Sequence, residues 1–120
     1  MGYIAKGTPK GRPKQFYKYE LPNGVVKIVR AQCADYERKT IAVRSGTLAP
    51  EVLKSYEGTN EAINAALQCV EEGCRNEFLL DIANGRGYDK SQINYMYSKS
   101  AYYHRKLKAV YEIARRLYLI

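Results

Sequence analysis

Tryptophan is absent from this 120-residue chain, histidine occurs once and cysteine three times. One histidine, His104, and an odd set of thiols (Cys33, Cys69 and Cys74) at no ligand spacing leave no residue set for a zinc site. Reduced, half-buried thiols are the reading that remains. No metal and no cofactor is expected. Only 4 prolines are present, and the 9 glycines gather near the start and at a few internal breaks. That scarcity favours helices joined by short turns over many short strands. No run approaches the roughly 18–20 apolar residues of a membrane span. Nor does the start of the chain read as a secretory leader, because Gly7 to Lys14 is basic and rich in Gly and Pro. A cytoplasmic protein with no membrane partner is the expectation.

What is abundant is tyrosine, 12 residues of 120, and positive charge, +8 overall. Tyrosine buries a ring while keeping a hydroxyl for water or phosphate, although it can also serve simply as core. The charge is segregated. Residues 1–20 hold five basic side chains against one acidic, residues 21–84 seven against nine, and residues 85–120 eight against two. Two basic ends around a mildly acidic middle create a field directed at a polyanion. Nucleic acid is the first candidate. A membrane surface is the weaker one, since the basic C-terminal helix has no broad face of Leu, Phe and Trp.

Three regions follow: a flexible basic arm over 1–20, a helical region over 21–74, and a C-terminal region over 75–120. Within the arm, Lys10, Gly11, Arg12, Pro13 and Lys14 resemble the core of an AT-hook, in which Arg seeks a narrow A·T minor groove. Lys10, Arg12 and Lys14 are the candidate minor-groove contacts, with loose phosphate contact as the plainer role. Pro22-Asn23-Gly24 marks a turn that either closes a hairpin over 16–30 or starts a helix. Val26, Val29, Cys33 and Tyr36 step by three and four, and Ile41 and Ala42 extend that face to Ser45-Gly46, which favours the helix. Thr47 precedes the next helix, with Pro50 in its first turn. Gly58-Thr59-Asn60 is a candidate interruption, and Glu71-Glu72-Gly73 is another. Arg75 to Asn84 reads as a helix closed by Gly85-Arg86-Gly87.

The last segment carries most information. Asp89 is placed to cap a short helix over 90–96, with Ile93 and Met96 turned inward, and Ser98 to cap a long one. In the long helix Tyr103, Leu107, Val110, Ala114 and Leu117 form an apolar stripe, with Tyr103 as the anchor to the core. Lys99, Arg105, Lys106, Lys108, Arg115 and Arg116 occupy much of the rest. A short helix, a turn and a longer basic helix opening on small polar residues is the grammar of a helix-turn-helix. The expected fold is therefore all-α, a helical bundle with a C-terminal helix-turn-helix. Phase assigns Lys99, Ser100, Ala101, Tyr102, His104 and Lys106 to bases or the groove. Arg86, Lys90, Arg105, Lys108 and Arg116 are assigned to phosphates.

Gly87-Tyr88-Asp89-Lys90-Ser91, Ser98 to Tyr103 and Ala114-Arg115-Arg116-Leu117 together resemble the C-terminal region of phage transcriptional regulators of the ArpU/RinA type. The likeness is clearest over 75–120, looser over 25–72 and absent over 1–20. It implies a helix-turn-helix similar to sigma-factor region four, and a DNA-binding regulator of late or packaging genes in a phage or prophage. Ile93 to Met96 departs from the pattern, being bulkier than the usual second helix. Two other readings compete. One is a small terminase-like packaging protein that binds double-stranded DNA as a homo-oligomer. The other is a protein-binding module, for example one that engages RNA polymerase without DNA. Catalysis is not expected: His104 has no orienting acid near it in sequence, and Glu71, Glu72 and Asp81 match no metal-nuclease motif.

Overall fold

The computed structural model describes residues 18–120. Lys10, Arg12 and Lys14, with the proposed minor-groove role, lie outside the described residues. Those described form α1 (Asn23–Ala34), α2 (Tyr36–Ser45), α3 (Pro50–Ala66), α4 (Arg75–Asn84) and α5 (Lys99–Arg116), with short 3-10 turns between α3 and α4 and between α4 and α5. There is no strand among them. The hairpin alternative therefore fails over its described part, and the helix begins where Asn23 follows Pro22. The Pro22 carbonyl accepts the Val25 and Val26 N–H groups at 3.0 and 3.1 Å, taking up two of the donors a helix start leaves open.

The single helix expected from this point to Ser45 is two helices, broken at Asp35. The Asp35 N–H still reaches the Ala31 carbonyl at 3.1 Å, and its own carbonyl accepts from Lys39 at 3.0 Å. Its carboxylate turns to Arg38, with one oxygen 2.7 Å from Nη2, at the acid-favouring start of α2. Beyond the break the apolar face ends. Ile41 is 59% exposed, and the residue that α2 buries is Lys39. Its ammonium donates to Gln32 Oε1 at 2.6 Å and lies over the Tyr56 ring. Ile41 thus does not extend the core as its spacing implied.

The helix α3 starts on Pro50, with Ala49 rather than Thr47 before it. It runs unbroken through Gly58, so the expected interruption is absent. Asn60 explains why α2 and α3 pair. Its amide donates to the Tyr36 carbonyl at 3.1 Å and to Thr40 Oγ1 at 3.0 Å, while Tyr36 donates to Asn64 at 2.8 Å. The weak point at Glu71 to Gly73 is real and becomes a pair of 3-10 turns. Arg75 holds them by donating to the Leu67 and Val70 carbonyls, each at 3.1 Å. The bounds of α4 fall where the spacing put them. Gly85 ends it at φ +66, a conformation that strains any residue with a Cβ.

One core takes its buried residues from four of the five helices, and Tyr36 of α2 packs against it. Val29 and Cys33 come from α1, Ile63 and Ala66 from α3, and Phe78, Leu79 and Ile82 from α4. Tyr102, Ala109, Val110, Ile113 and Ala114 come from α5, which touches α1, α3 and α4. The basic C-terminal helix is thus the axis of the bundle and not a helix laid on its surface. Among the described residues no helix is long and apolar enough to cross a membrane.

Candidate nucleic-acid interface

Ser98 caps α5 as its sequence indicated: its Oγ accepts the Ala101 N–H at 3.1 Å. The segment before it differs from expectation. Residues 90–96 do not form a short α-helix. The stretch 88–96 instead holds two 3-10 turns, Tyr88–Lys90 and Asn94–Met96, with the extended Ser91 after the first. Side chains compete here for the backbone groups a helix would need. Ser91 Oγ accepts from the Ile93 N–H at 3.3 Å, and Asn94 Nδ2 donates to the Tyr88 carbonyl at 3.2 Å. Ile93 is buried as expected, but Met96 is 50% exposed. Asp89 makes no capping bond. What precedes α5 is a pair of turns rather than the first helix of a helix pair.

Those turns are tied to α5 through aromatic residues. The Tyr103 hydroxyl accepts the Tyr88 N–H at 3.0 Å, and the Tyr88 hydroxyl donates to the Tyr97 carbonyl at 2.9 Å. Tyr103 packs against the core, as an anchor should. The apolar face of α5 is nevertheless rotated from the expected stripe. Val110 and Ala114 belong to it, but Tyr102, Ala109 and Ile113 are fully buried, while Leu107 is half-buried.

The rotation removes Tyr102 from the groove surface. Its ring is 0% exposed and stacks on Phe78 at 5.4 Å. Its hydroxyl donates to Oδ2 of Asp81 at 2.8 Å. Asp81 is itself fully buried, with Arg86 Nη1 3.6 Å from its other oxygen. Burial first, and the Asp81 bond second, push the Tyr102 phenol well above its ordinary range. A base could reach Tyr102 only if the core opened.

The other candidates fall into three groups. Lys99 and Ser100 are exposed at the entry of α5, and Lys90 is exposed on the turn before it. Lys90 and Lys99 have no ion-pair partner among the described residues. A second group is engaged by the protein itself. Arg105 donates from Nη2 to Glu71 at 3.1 Å and lies 4.8 Å above the Tyr97 ring. Arg86 faces Asp81, and the Lys106 ammonium donates to the Arg86 carbonyl. The Arg105 and Lys106 bonds occupy donors that phosphate contact or base readout would use, and the Arg86 charge is committed to Asp81. Arg116, exposed at the far end, pairs with Glu112 at 3.9 Å.

Ala101, His104 and Lys108 are half-buried. Tyr19 lies edge-on against both His104, at 5.6 Å, and Tyr111, at 5.5 Å. Desolvation first, then the charges of Lys108, Arg105 and Lys18, lower the His104 pKa. That direction disfavours the imidazolium that phosphate contact would use. Residues 18–20, at the end of the expected arm, include this seat on α5.

Sequence reasoning missed Tyr95, 80% exposed on the Asn94–Met96 turn, and it missed the buried Asp81. Tyr95 carries no sequence mark that sets it apart from its packed neighbours Tyr88, Tyr97, Tyr102 and Tyr103. Asp81 does carry one: an acid on the inner face of an apolar helix, five residues before Arg86. Among the described residues no group of three or more His, Cys, Asp or Glu is placed to hold a metal ion. No protein-family model, no curated protein and no solved structure matches the chain.

Proposed function

We propose that the protein binds double-stranded DNA through the entry of α5 and acts as a transcriptional regulator of the ArpU/RinA type in a phage or prophage. The observation that carries the reading is the capped entry itself. Ser98 fixes the first turn, Lys99 and Ser100 stand exposed on it, and Lys90 and Tyr95 are exposed on the turns beside it. Small polar residues let a helix end approach base edges, and unpaired lysines attract the phosphates on either side. The segregated charge of the chain favours the same partner.

Fluorescence anisotropy of the full chain with a random 30-base-pair duplex, at several salt concentrations, tests the reading. Binding whose logarithm falls linearly with the logarithm of salt is expected. Absence of binding at low salt, or binding indifferent to salt, would overturn it. Selection of duplexes from a random pool then tests sequence preference: an enriched motif is expected, and none would reduce the protein to a general DNA binder.

A further inference from the structure

Three cations from three parts of the chain meet at the C-terminal end of α4. Arg30 comes from α1, Arg86 from the segment after α4, and Lys106 from the middle of α5. The Arg30 guanidinium lies against Gly85 so closely that a Cβ built there would be 2.5 Å from Nη2 and 2.9 Å from Cζ. Lys106 donates to the carbonyl of Arg86, the next residue, and Arg86 faces the buried Asp81 at 3.6 Å.

A helix C-terminus carries roughly half a negative charge, and one cation complements it. Lys106 fills that role and Arg86 answers Asp81, so Arg30 is surplus to both. It is exposed and has no hydrogen bond or ion pair among the described residues. A guanidinium beside two other cations presents a planar fork suited to a phosphate oxygen pair.

The position relative to α5 matters as well. Lys99 and Lys106 are seven residues apart, so they share one stripe of the helix about 10 Å apart along its axis. Between them, Tyr103 meets the Gly87–Tyr88 backbone. Lys99 and Lys106 therefore share one face of α5, with Arg86 and Arg30 beside Lys106.

We propose that Arg30 is the open finger of a clamp for a phosphodiester backbone, with Arg86 and Lys106 adding positive charge beside it while they stay engaged with Asp81 and the Arg86 carbonyl. The clamp rests on the DNA-binding reading and adds to it a residue outside the C-terminal region. It also takes Lys106 away from base contact and leaves it to add charge beside the backbone.

The test uses the full chain, a random duplex and the salt series. Arg30→Gln is expected to weaken binding about five- to tenfold near 0.1 M salt and to lower the salt slope by about 0.9. Arg30→Lys should keep most of the slope. Lys54→Gln removes the same charge from exposed α3 and should leave slope and affinity as in the parent. A parental slope in Arg30→Gln, with the parent still binding DNA, overturns the clamp and leaves the wider reading standing. An equal loss in Lys54→Gln also overturns it, in favour of a diffuse field. No duplex binding by the parent ends both. Competition by tripolyphosphate as strong as by duplex, phosphate for phosphate, would assign the site to free phosphates and overturn the backbone assignment.

Discussion

The entry of α5 and the stretch that follows it are both rich in cations, yet the protein treats them in opposite ways. From Tyr102 to Ala114 no residue of α5 is exposed, and Arg105 and Lys106 turn to Glu71 and to the Arg86 carbonyl. At the entry, Lys99 and Ser100 face solvent and Lys99 has no ion-pair partner among the described residues. Charge density along a helix does not locate an interface. What locates it is charge that the fold itself has left unpaired.

Substitutions that break this contrast range from severe to nearly silent. Tyr102→Ala should cost about 4 kcal/mol in urea unfolding, because it opens a cavity beneath α5 and strands Asp81. Tyr102→Phe keeps the ring and removes only the donor, for about 1–3 kcal/mol. If Tyr102→Phe unfolds like the parent, Asp81 does not depend on that hydroxyl and the enclosed stretch is held by shape alone. Ser98→Ala should cost about 1 kcal/mol by releasing the Ala101 N–H.

The Glu71 contact is smaller and depends on pH. The Tyr97 hydroxyl first, and Arg105 second, hold its carboxyl at about 2, against an ordinary value of 4.5. The folded chain therefore binds fewer protons than the unfolded chain between those limits. Its stabilising effect is complete above pH 4.5 and is lost as pH falls toward 2. Because Glu71 is half exposed, the effect is on the order of 1 kcal/mol after solvent screening. Urea midpoints from pH 6 to pH 2 should fall less steeply in Glu71→Gln than in the parent; parallel curves would remove Glu71 from the account.

Lys99→Gln is the smallest in stability, within about 0.5 kcal/mol, while weakening duplex binding. Should it destabilise the chain as much as Tyr102→Phe, the distinction between entry and enclosed stretch is lost.

Helix existence was legible wherever apolar spacing met a clear stop. Arg75–Asn84 before Gly85, the Ser98 cap and the Pro50 start all follow local chemistry. The face of α5 was harder to read because Tyr102 and Tyr103 sit side by side. A rotation of one residue exchanges them, and in the fold it is Tyr102 that stacks on Phe78 and reaches Asp81. The failure at 90–96 has a similar origin. Asn94 and Ser91 form bonds with backbone groups close in sequence, and so short a helix offers too few bonds to outweigh them. Arg30 could not be found at all, since its meeting with Gly85, Arg86 and Lys106 exists only once α1 lies beside α4.

The shared core has a consequence for modularity. Val29 from α1 and Ile63 from α3 are as fully enclosed as Ile113 from α5. A fragment of residues 75–120 would expose the apolar side of its longest helix, so the α5 entry cannot be excised and grafted onto another protein. Duplication or exchange of genes would have to move the whole bundle. A change in the surface that the α5 entry presents would then arise by substitutions at its few solvent-facing positions, not by shuffling of segments.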